Sequence, residues 1–364
     1  KFFLRRTILN LHLLHPAEEI VLTMNRIYTY GMTTTSGGNL SILDDDGSVW
    51  ISPKGVDKGN LRPEDVMRIS PDGKIHGIHE ASTEYPFHLA IYKARPDIKA
   101  VLHAHPPSLI AFSIVREIPD TRIIPKARDV CGEVGYAHYA LPGSKKLGEN
   151  LAIAFSKGFD TVLMENHGIA TAGTSLTHAF QRLETLDFCA RLWIKAKSLG
   201  PVHLLENAHF EMVRKFQSVE LPEFDRFSIS SKEKKLRHEL RSFLSRCYDR
   251  QLVTSTEGSF SVRLDADSFL ITPYNQDRKY MDESDMVLIH KGKREKGSSP
   301  SKSALLHQRI YQDHPEIGAL LVALPPNAMA FGVSDVEFDT RTIPECYIVL
   351  RDIRKFPFGI QYDD

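Results

Sequence analysis

Two stretches of this sequence repeat one another, and the comparison between them decides how the chain is interpreted. The first is IYKARPDIKAVLHAHPPSLIAFSI (residues 91–114), and the second is IYQDHPEIGALLVALPPNAMAFGV (residues 310–333). Both begin with Ile-Tyr, contain a Pro-Pro pair and have Ala-Phe near the end. His103 and His105 of the first stretch, however, are replaced by valine and leucine in the second.

Two further pairs of segments keep the same spacing. TSGGNLSI (residues 35–42) matches STEGSFSV (residues 255–262), and ISPKGVD (residues 51–57) matches ITPYNQD (residues 271–277). The offset is 271 − 51 = 220 here and 310 − 91 = 219 in the opening pair. Since self-similarity at a constant offset is the signature of repeated structural units, we interpret the chain as a tandem duplication.

The duplication predicts a first domain over residues 1–200, a connector over 201–229, and a truncated second copy over 230–364. Within each copy, periodic apolar residues predict helices that alternate with short strands. Several connections between strands are too short for a parallel crossover. We therefore expect a mainly antiparallel sheet covered by helices, present twice.

Composition excludes some classes of partner. The 364 residues include 46 basic and 46 acidic side chains, so the chain lacks the net positive charge of a nucleic-acid or membrane-surface binder. The apolar runs are too short or too interrupted to cross a bilayer. Four widely spaced cysteines without a CxxC pair are typical of a reducing compartment, so we expect a cytoplasmic protein that binds small molecules.

Three histidines form a candidate metal site. His103 and His105 are two residues apart in a predicted strand, which places both side chains on one face. His167 follows the apolar strand TVLM and could reach the same place. Three histidines that leave a fourth position open are typical of catalytic zinc. From spacing alone, two polar residues on a half-exposed strand face are the commoner interpretation of such a pair.

The second copy has lost several polar residues while keeping its apolar and turn positions. The lost residues are His103, His105, Glu84 and Asn39, which become Val322, Leu324, Ser303 and Ser259. Joint loss indicates that these residues work together in the first copy, although independent drift at polar positions would give the same pattern. We infer that the first copy performs chemistry and that the second keeps only the fold.

The first copy resembles the class II aldolase and adducin head-domain family. The resemblance rests on the order of SGGNLSI, ISPKGV, ASTEYPFHLAIYKARPDIKAVLHAHPP and MENHGIATAG. It implies a three-layer α/β/α domain with a central mainly antiparallel sheet, and zinc, or another divalent metal, held by His103, His105 and His167. It also implies that Glu84 is the acid/base.

The resemblance further implies an anionic substrate, held at the family's phosphate-binding positions. On this chain those positions are Gly38, Asn39, Lys54, Gly55, Ser82 and Thr83. Lys54 departs from the pattern, because sugar-phosphate aldolases have a small hydroxyl residue there. The additional cation makes a carboxylate substrate more plausible.

We therefore predict a zinc-dependent lyase that cleaves or forms a carbon–carbon bond next to a carbonyl, in a sugar phosphate or a related hydroxy acid, through a metal-stabilised enediolate. The alternatives are a decarboxylase or dehydratase at the same metal site, and a non-catalytic, adducin-like interaction protein. Since active sites of the family lie between subunits of a ring, the resemblance implies a homo-oligomer. In it the second copy would be a silent in-chain neighbour, with Val322 and Leu324 buried.

Overall fold

The computed structural model describes residues 14–215, 220–226 and 228–359. The chain divides into two compact units, an N-terminal domain that extends to Ile194 and a C-terminal domain that starts at Lys195. The domain limits expected from the sequence, at residues 200 and 230, remain a prediction. Residues 1–13 of the first predicted domain lie outside the described residues.

The N-terminal domain contains an eight-stranded sheet in the order β4-β3-β2-β1-β5-β8-β7-β6. Every pair of neighbouring strands is antiparallel except β6 and β7, which confirms the expected mainly antiparallel sheet. Its elements are α1 (Pro16–Thr29), β1 (Asn39–Leu43), β2 (Val49–Ile51), β3 (Met67–Ile69), β4 (Ile75–His76), α2 (Tyr85–Ala94), β5 (Ala100–Ala104), α3 (Pro107–Val115), α4 (Pro125–Cys131), β6 (Gly135–Ala137), α5 (Lys145–Ser156), β7 (Thr161–Met164), β8 (Gly168–Gly173) and α6 (Leu176–Lys197).

Helices cover both faces of this sheet. On one face α2 and α5 bury an apolar cluster against the strands, with Phe87 and Phe155 among its members. Neighbouring residues of a strand point to opposite faces. In β1, Leu40 and Ser41 are both fully buried, so the second face is covered as well. This is the three-layer α/β/α arrangement that the family resemblance implies.

The candidate histidine site depends on β5, the strand at the centre of the sheet. It pairs with β1 on one edge and β8 on the other, and all five of its residues are buried. The strand ends at Ala104, one residue before His105, whose backbone N–H donates instead to the carbonyl of Met32 at 3.0 Å. His103 thus lies in the predicted strand, whereas His105 lies in the connection that leads to α3.

The C-terminal domain contains a six-stranded sheet in the order β14-β10-β11-β12-β13-β9. The five strands from β14 to β13 repeat the order β5-β1-β2-β3-β4, and Ser259 pairs with Val322 as Asn39 pairs with His103. Its elements are α7 (Asn207–Lys215), β9 (Glu223–Phe224), α8 (Ser231–Asp249), β10 (Ser259–Arg263), β11 (Ser268–Ile271), β12 (Val287–His290), β13 (Lys293–Glu295), α9 (Ala304–Asp313), β14 (Ala319–Val322), α10 (Pro326–Gly332) and α11 (Pro344–Leu350).

One expectation about the C-terminal domain is wrong. Val322 is 46% exposed and Leu324 is partly exposed, although burial was predicted for both. In the N-terminal domain β5 is buried because β8 pairs with its second edge. Within the described residues, β14 pairs with β10 alone. Among the described residues, Val322 therefore lies on an open sheet edge, and Leu324 follows the end of the strand.

Candidate metal centre

Three histidines lie close together at the end of β5, next to the turn that joins β7 to β8. His103 is the fourth residue of β5, His105 follows the strand, and His167 lies in the turn just before β8. Because β8 pairs directly with β5, this turn lies next to the end of β5. One ligand atom from each ring lies within 4.8 Å of the other two, so the three predicted ligands are brought together.

Close packing of the backbone fixes these rings. A Cβ added to Gly168 would lie 2.6 Å from the carbonyl oxygen of Ala104 and 2.8 Å from Cδ2 of His105. Gly38 has a φ of +75°, and a Cβ there would lie 2.8 Å from the carbonyl oxygen of His103. Only glycine allows both approaches, so the backbone forms a tight cradle around the imidazoles.

The unsatisfied polar atoms of the site suit a divalent cation. His103 donates from Nδ1 to the carbonyl of Ile169 at 2.8 Å, which leaves the lone pair on its buried Nε2 free of hydrogen bonds. Nδ1 of His167 and Oε1 of Glu84 are also buried without hydrogen-bond partners. Buried polar atoms are nearly always satisfied, so unsatisfied atoms on three neighbouring residues indicate a ligand-binding position.

The histidines are held in the neutral form that metal binding requires. Burial, with help from the neighbouring imidazoles, lowers the pKa of His103 and of His105 to about 3. Burial also lowers the pKa of His167, although the Glu84 carboxylate opposes that shift. At neutral pH the three rings therefore present lone pairs and no positive charge.

Glu84 lies beside the histidines at the N-terminal end of α2. Its Oε2 is 3.4 Å from Nε2 of His103, and its Oε1 is 3.5 Å from Nε2 of His167. Both distances are too long for good hydrogen bonds. Glu84 is only 8% exposed, and Asn39 donates to its Oε2 at 2.7 Å. The predicted acid/base therefore borders the histidine cluster.

A buried hydrogen-bonded set behind Asn39 was not anticipated from the sequence. His88 Nε2 lies 2.5 Å from Oδ1 of Asn39, and His88 Nδ1 lies 2.7 Å from Oγ of Ser41. Ser41 in turn lies 2.7 Å from the hydroxyl of Tyr92. We call Tyr92, Ser41 and His88 the N-terminal triple. The same three residue types recur at almost the same spacing in the second copy, and this recurrence was the signal that the sequence contained.

The predicted anion-binding residues lie on adjoining loops. An isolated β-bridge joins Pro53 to Ala81, which brings the loop of Lys54 and Gly55 beside the segment of Ser82 and Thr83. Ser82 accepts through Oγ from the backbone N–H of Glu84 at 3.3 Å.

Gly55, Asn39 and Lys54 have different surroundings among the predicted anion-binding residues. Gly55 has a φ of +71° and open space around it, as a loop that approaches a ligand requires. The carboxamide of Asn39 is engaged by Glu84 and His88. The exposed ammonium of Lys54 forms an ion pair with Glu80 at 2.9 Å, so the extra charge of Lys54 is already matched.

A second lysine, missed by sequence reasoning, is the buried cation of this region. Lys58 is 2% exposed, and its Nζ donates to the carbonyl of Pro53 at 2.6 Å. Its backbone N–H donates to the carbonyl of Thr35 at 2.9 Å, so one residue joins both glycine-containing loops. Burial alone lowers its pKa to about 8, and no carboxylate of the described chain forms an ion pair with it.

Comparisons with known proteins find similarity in both parts of the chain. The profile described as class II aldolase and adducin N-terminal domain matches residues 18–194 and again 238–355. The 5-deoxy-D-ribulose 1-phosphate aldolase of Bacillus thuringiensis is 33% identical over 206 residues, which are 55% of this chain and 94% of the relative. The 3-oxo-tetronate 4-phosphate decarboxylase of Escherichia coli is 32% identical over 179 residues, 48% of this chain and 84% of the relative.

A solved structure gives the same result. The structure of an L-fuculose 1-phosphate aldolase superposes with a TM-score of 0.50 at 29% identity, and it covers 55% of this chain and 96% of that one. Among the described residues, no helix has both the length and the apolar character needed to cross a membrane.

Proposed function

The chain belongs to the class II aldolase and adducin N-terminal domain family, and on that premise we propose that it is a metal-dependent carbon–carbon lyase. The observation that carries the proposal is the meeting of three neutral histidines with the buried Glu84 carboxylate. Nitrogen ligands suit Zn²⁺, so we propose zinc, held by His103, His105 and His167. When bound, a divalent cation acts as a Lewis acid on a carbonyl oxygen and stabilises the negative charge that develops there.

Glu84 moves the proton. In cleavage, the carbon–carbon bond breaks and its electron pair stays with the fragment that bears the carbonyl. The other fragment leaves as an aldehyde when its hydroxyl proton passes to the Glu84 carboxylate. Glu84 delivers a proton to the carbon that keeps the pair, and it removes the same proton in the direction of synthesis. Its burial beside the histidines keeps bulk water from competing for that position.

We propose a phosphorylated sugar or a related hydroxy acid as the substrate. Support comes from the relatives, which act on sugar phosphates, and from the adjoining loops of Gly38, Gly55 and Ser82. Backbone N–H groups and small hydroxyls on such loops bind anions. The buried ammonium of Lys58 donates to the carbonyl of Pro53, next to the loop of Gly55, and adds positive potential there.

A decarboxylase is the second candidate, because curated relatives at 32% identity carry that activity. Both reactions need the same stabilisation of negative charge next to a carbonyl, so the site alone supports either one. Dehydration would use it too. A non-catalytic, adducin-like role is disfavoured, because it gives no reason for neutral, unsatisfied histidine nitrogens beside a buried carboxylate.

The deciding experiment is a screen of sugar phosphates and phosphorylated 3-oxo acids with the full chain, with and without Zn²⁺. Release of an aldehyde identifies an aldolase, and release of CO₂ identifies a decarboxylase. Glu84→Gln should keep the metal and lower turnover by roughly 10²–10⁴-fold, the usual contribution of a general acid/base. A purified chain that binds no divalent metal would refute the proposal.

We also propose a cytoplasmic location and a homo-oligomeric assembly. The location is supported by the four cysteines, which are all free thiols. The assembly, with the C-terminal domain as a silent neighbour, rests on the family resemblance.

A further inference from the structure

Both domains contain the same buried arrangement of tyrosine, serine and histidine. In the C-terminal domain, the hydroxyl of Tyr311 lies 2.8 Å from Oγ of Ser261, which lies 2.7 Å from Nδ1 of His307. This C-terminal triple corresponds to the N-terminal triple residue for residue. It persists where the metal ligands have been lost, so the triple itself belongs to the fold.

In the hydrogen-bonded series from the N-terminal triple to Glu84, each bond has a defined donor and a defined acceptor. The Glu84 carboxylate can only accept, so the NH₂ group of Asn39 faces it and the amide oxygen faces His88. That oxygen needs a donor, which makes Nε2 of His88 the protonated nitrogen. Nδ1 is then the acceptor for the hydroxyl of Ser41. Each group in the series thus fixes the orientation of the next, and the series ends at Oε2 of Glu84.

The two hydrogen-bonded series differ only beyond the histidine. In the C-terminal domain, Nε2 of His307 lies 2.9 Å from Oγ of Ser259, which lies 2.6 Å from Oγ of Ser303. Those serines stand where the N-terminal domain has Asn39 and Glu84. A hydroxyl can rotate and either donate or accept, whereas a carboxamide has a fixed donor and a fixed acceptor side. Only the N-terminal domain therefore transmits a defined orientation to a carboxylate.

We propose that His88 is a positioning residue for the reaction, acting through Asn39 on Glu84. By fixing the carboxamide, it holds Oε2 of Glu84 in a hydrogen bond. The buried Oε1 has no such partner, and it is the oxygen that carries the proton. This inference rests on the proposed function for its catalytic consequence, while the orientation of Asn39 can be measured without turnover.

The test uses two substitutions that separate the nitrogens of His88. His88→Gln places an amide N–H near the position of Nε2 and keeps a donor for Asn39, whereas His88→Asn keeps only an acceptor for Ser41. We expect His88→Asn to lower kcat by roughly 10–10²-fold, because small displacements of reacting groups cost that much. KM and metal content should stay near the wild-type values. His88→Gln should recover most of kcat.

Matched controls come from the second copy. His307→Asn breaks the C-terminal triple in the same way, so it should cost similar thermal stability but leave kcat unchanged. If His88→Asn does not fold, Ser41→Ala with Ser261→Ala as its control replaces the pair. Ser41→Ala removes the donor to Nδ1 and allows the His88 proton to move there. Unchanged kcat in the N-terminal variant, or an equal loss in both domains, would overturn the proposal.

A second readout does not depend on activity. By NMR, His88→Asn should remove one slowly exchanging imidazole N–H signal and shift the side-chain NH₂ signals of Asn39. His307→Asn should remove a different imidazole signal and leave the Asn39 signals in place. Unshifted Asn39 signals in His88→Asn refute the positioning role. A wild-type chain with no metal-dependent turnover refutes only the proposed function.

Discussion

Replacing Gly168 by alanine tests whether the backbone cradle holds the metal ligands. The new Cβ would lie 2.6 Å from the Ala104 carbonyl oxygen, whereas ordinary contacts begin at 3.4 Å, so 3.4 − 2.6 = 0.8 Å must be recovered by movement. The Cβ also meets Cδ2 of His105 at 2.8 Å, so that ring is a group that must give way. In the metal-free variant the ring can move aside. Binding a metal requires it to return against the strain.

The size of the effect follows from the cost of overpacking, about 1–3 kcal/mol. Since each 1.4 kcal/mol is tenfold in affinity, zinc should bind roughly 5- to 140-fold more weakly to Gly168→Ala. The assay is competition with a chromophoric chelator at constant pH, or titration with Co²⁺ followed by its ligand-field absorbance. The spectrum also reports whether the ligand set has changed.

Gly148→Ala is the matched control in the same domain. This glycine lies within α5, and its added Cβ would make ordinary contacts of 3.5 Å or more with Phe87 and Ala90. Because alanine is favoured over glycine in helices by about 1 kcal/mol, the control should be as stable as the wild type or more so, with unchanged zinc affinity. Equal zinc affinities for Gly168→Ala and the wild type would refute the reasoning.

Three further predictions follow from the charges and the assembly. The pKa of His103 and of His105 is about 3 in the folded state and near 6.5 when unfolded, so between these pH values the unfolded chain binds more protons. The metal-free protein should therefore lose stability as the pH falls below 6.5. Urea titrations at several pH values measure this, and a urea midpoint that stays constant would contradict it. Lys58→Met should weaken inhibition by inorganic phosphate, whereas Lys58→Arg should retain it. In the wild type the inhibition should weaken as the pH rises through about 8, where Lys58 loses its proton. Equal inhibition of all three proteins would exclude this lysine from anion binding. Sedimentation velocity of the full chain should give a mass above the 41.2 kDa of one chain, and a monomer at micromolar concentration would contradict the proposed homo-oligomer.

The sequence predicted the architecture well because its signals are local. Periodic apolar residues predict α1, where Ile20, Met24 and Ile27 are buried, and the segment around His103 predicts β5. The histidine cluster was also accessible, since spacing and the loss of ligands in the second copy both indicate it. The role of Glu84 came from the family resemblance alone.

Features that depend on contacts between distant segments were missed. His88 recurs as His307, but a residue retained in both copies indicates the fold, and only its distance to Asn39 reveals a link to the site. Lys58 has the sequence context of a surface lysine, and its burial goes with hydrogen bonds to Pro53 and Thr35, which the sequence pattern does not reveal. The burial of Val322 was wrongly predicted because it depends on which strand pairs with β14.

The open edge of β14 has a practical consequence for handling this protein. Within the described residues β14 pairs on one side only, and there its half-exposed Leu321 and Val322 offer backbone groups and apolar side chains to any extended segment they meet. Heating or concentrating the protein favours such encounters, and aggregation that starts there would be irreversible. A melting scan of the full chain would then record clouding nucleated in the C-terminal domain while the histidine site is still folded. Ligands that bind the N-terminal domain tightly could leave that apparent melting temperature unchanged.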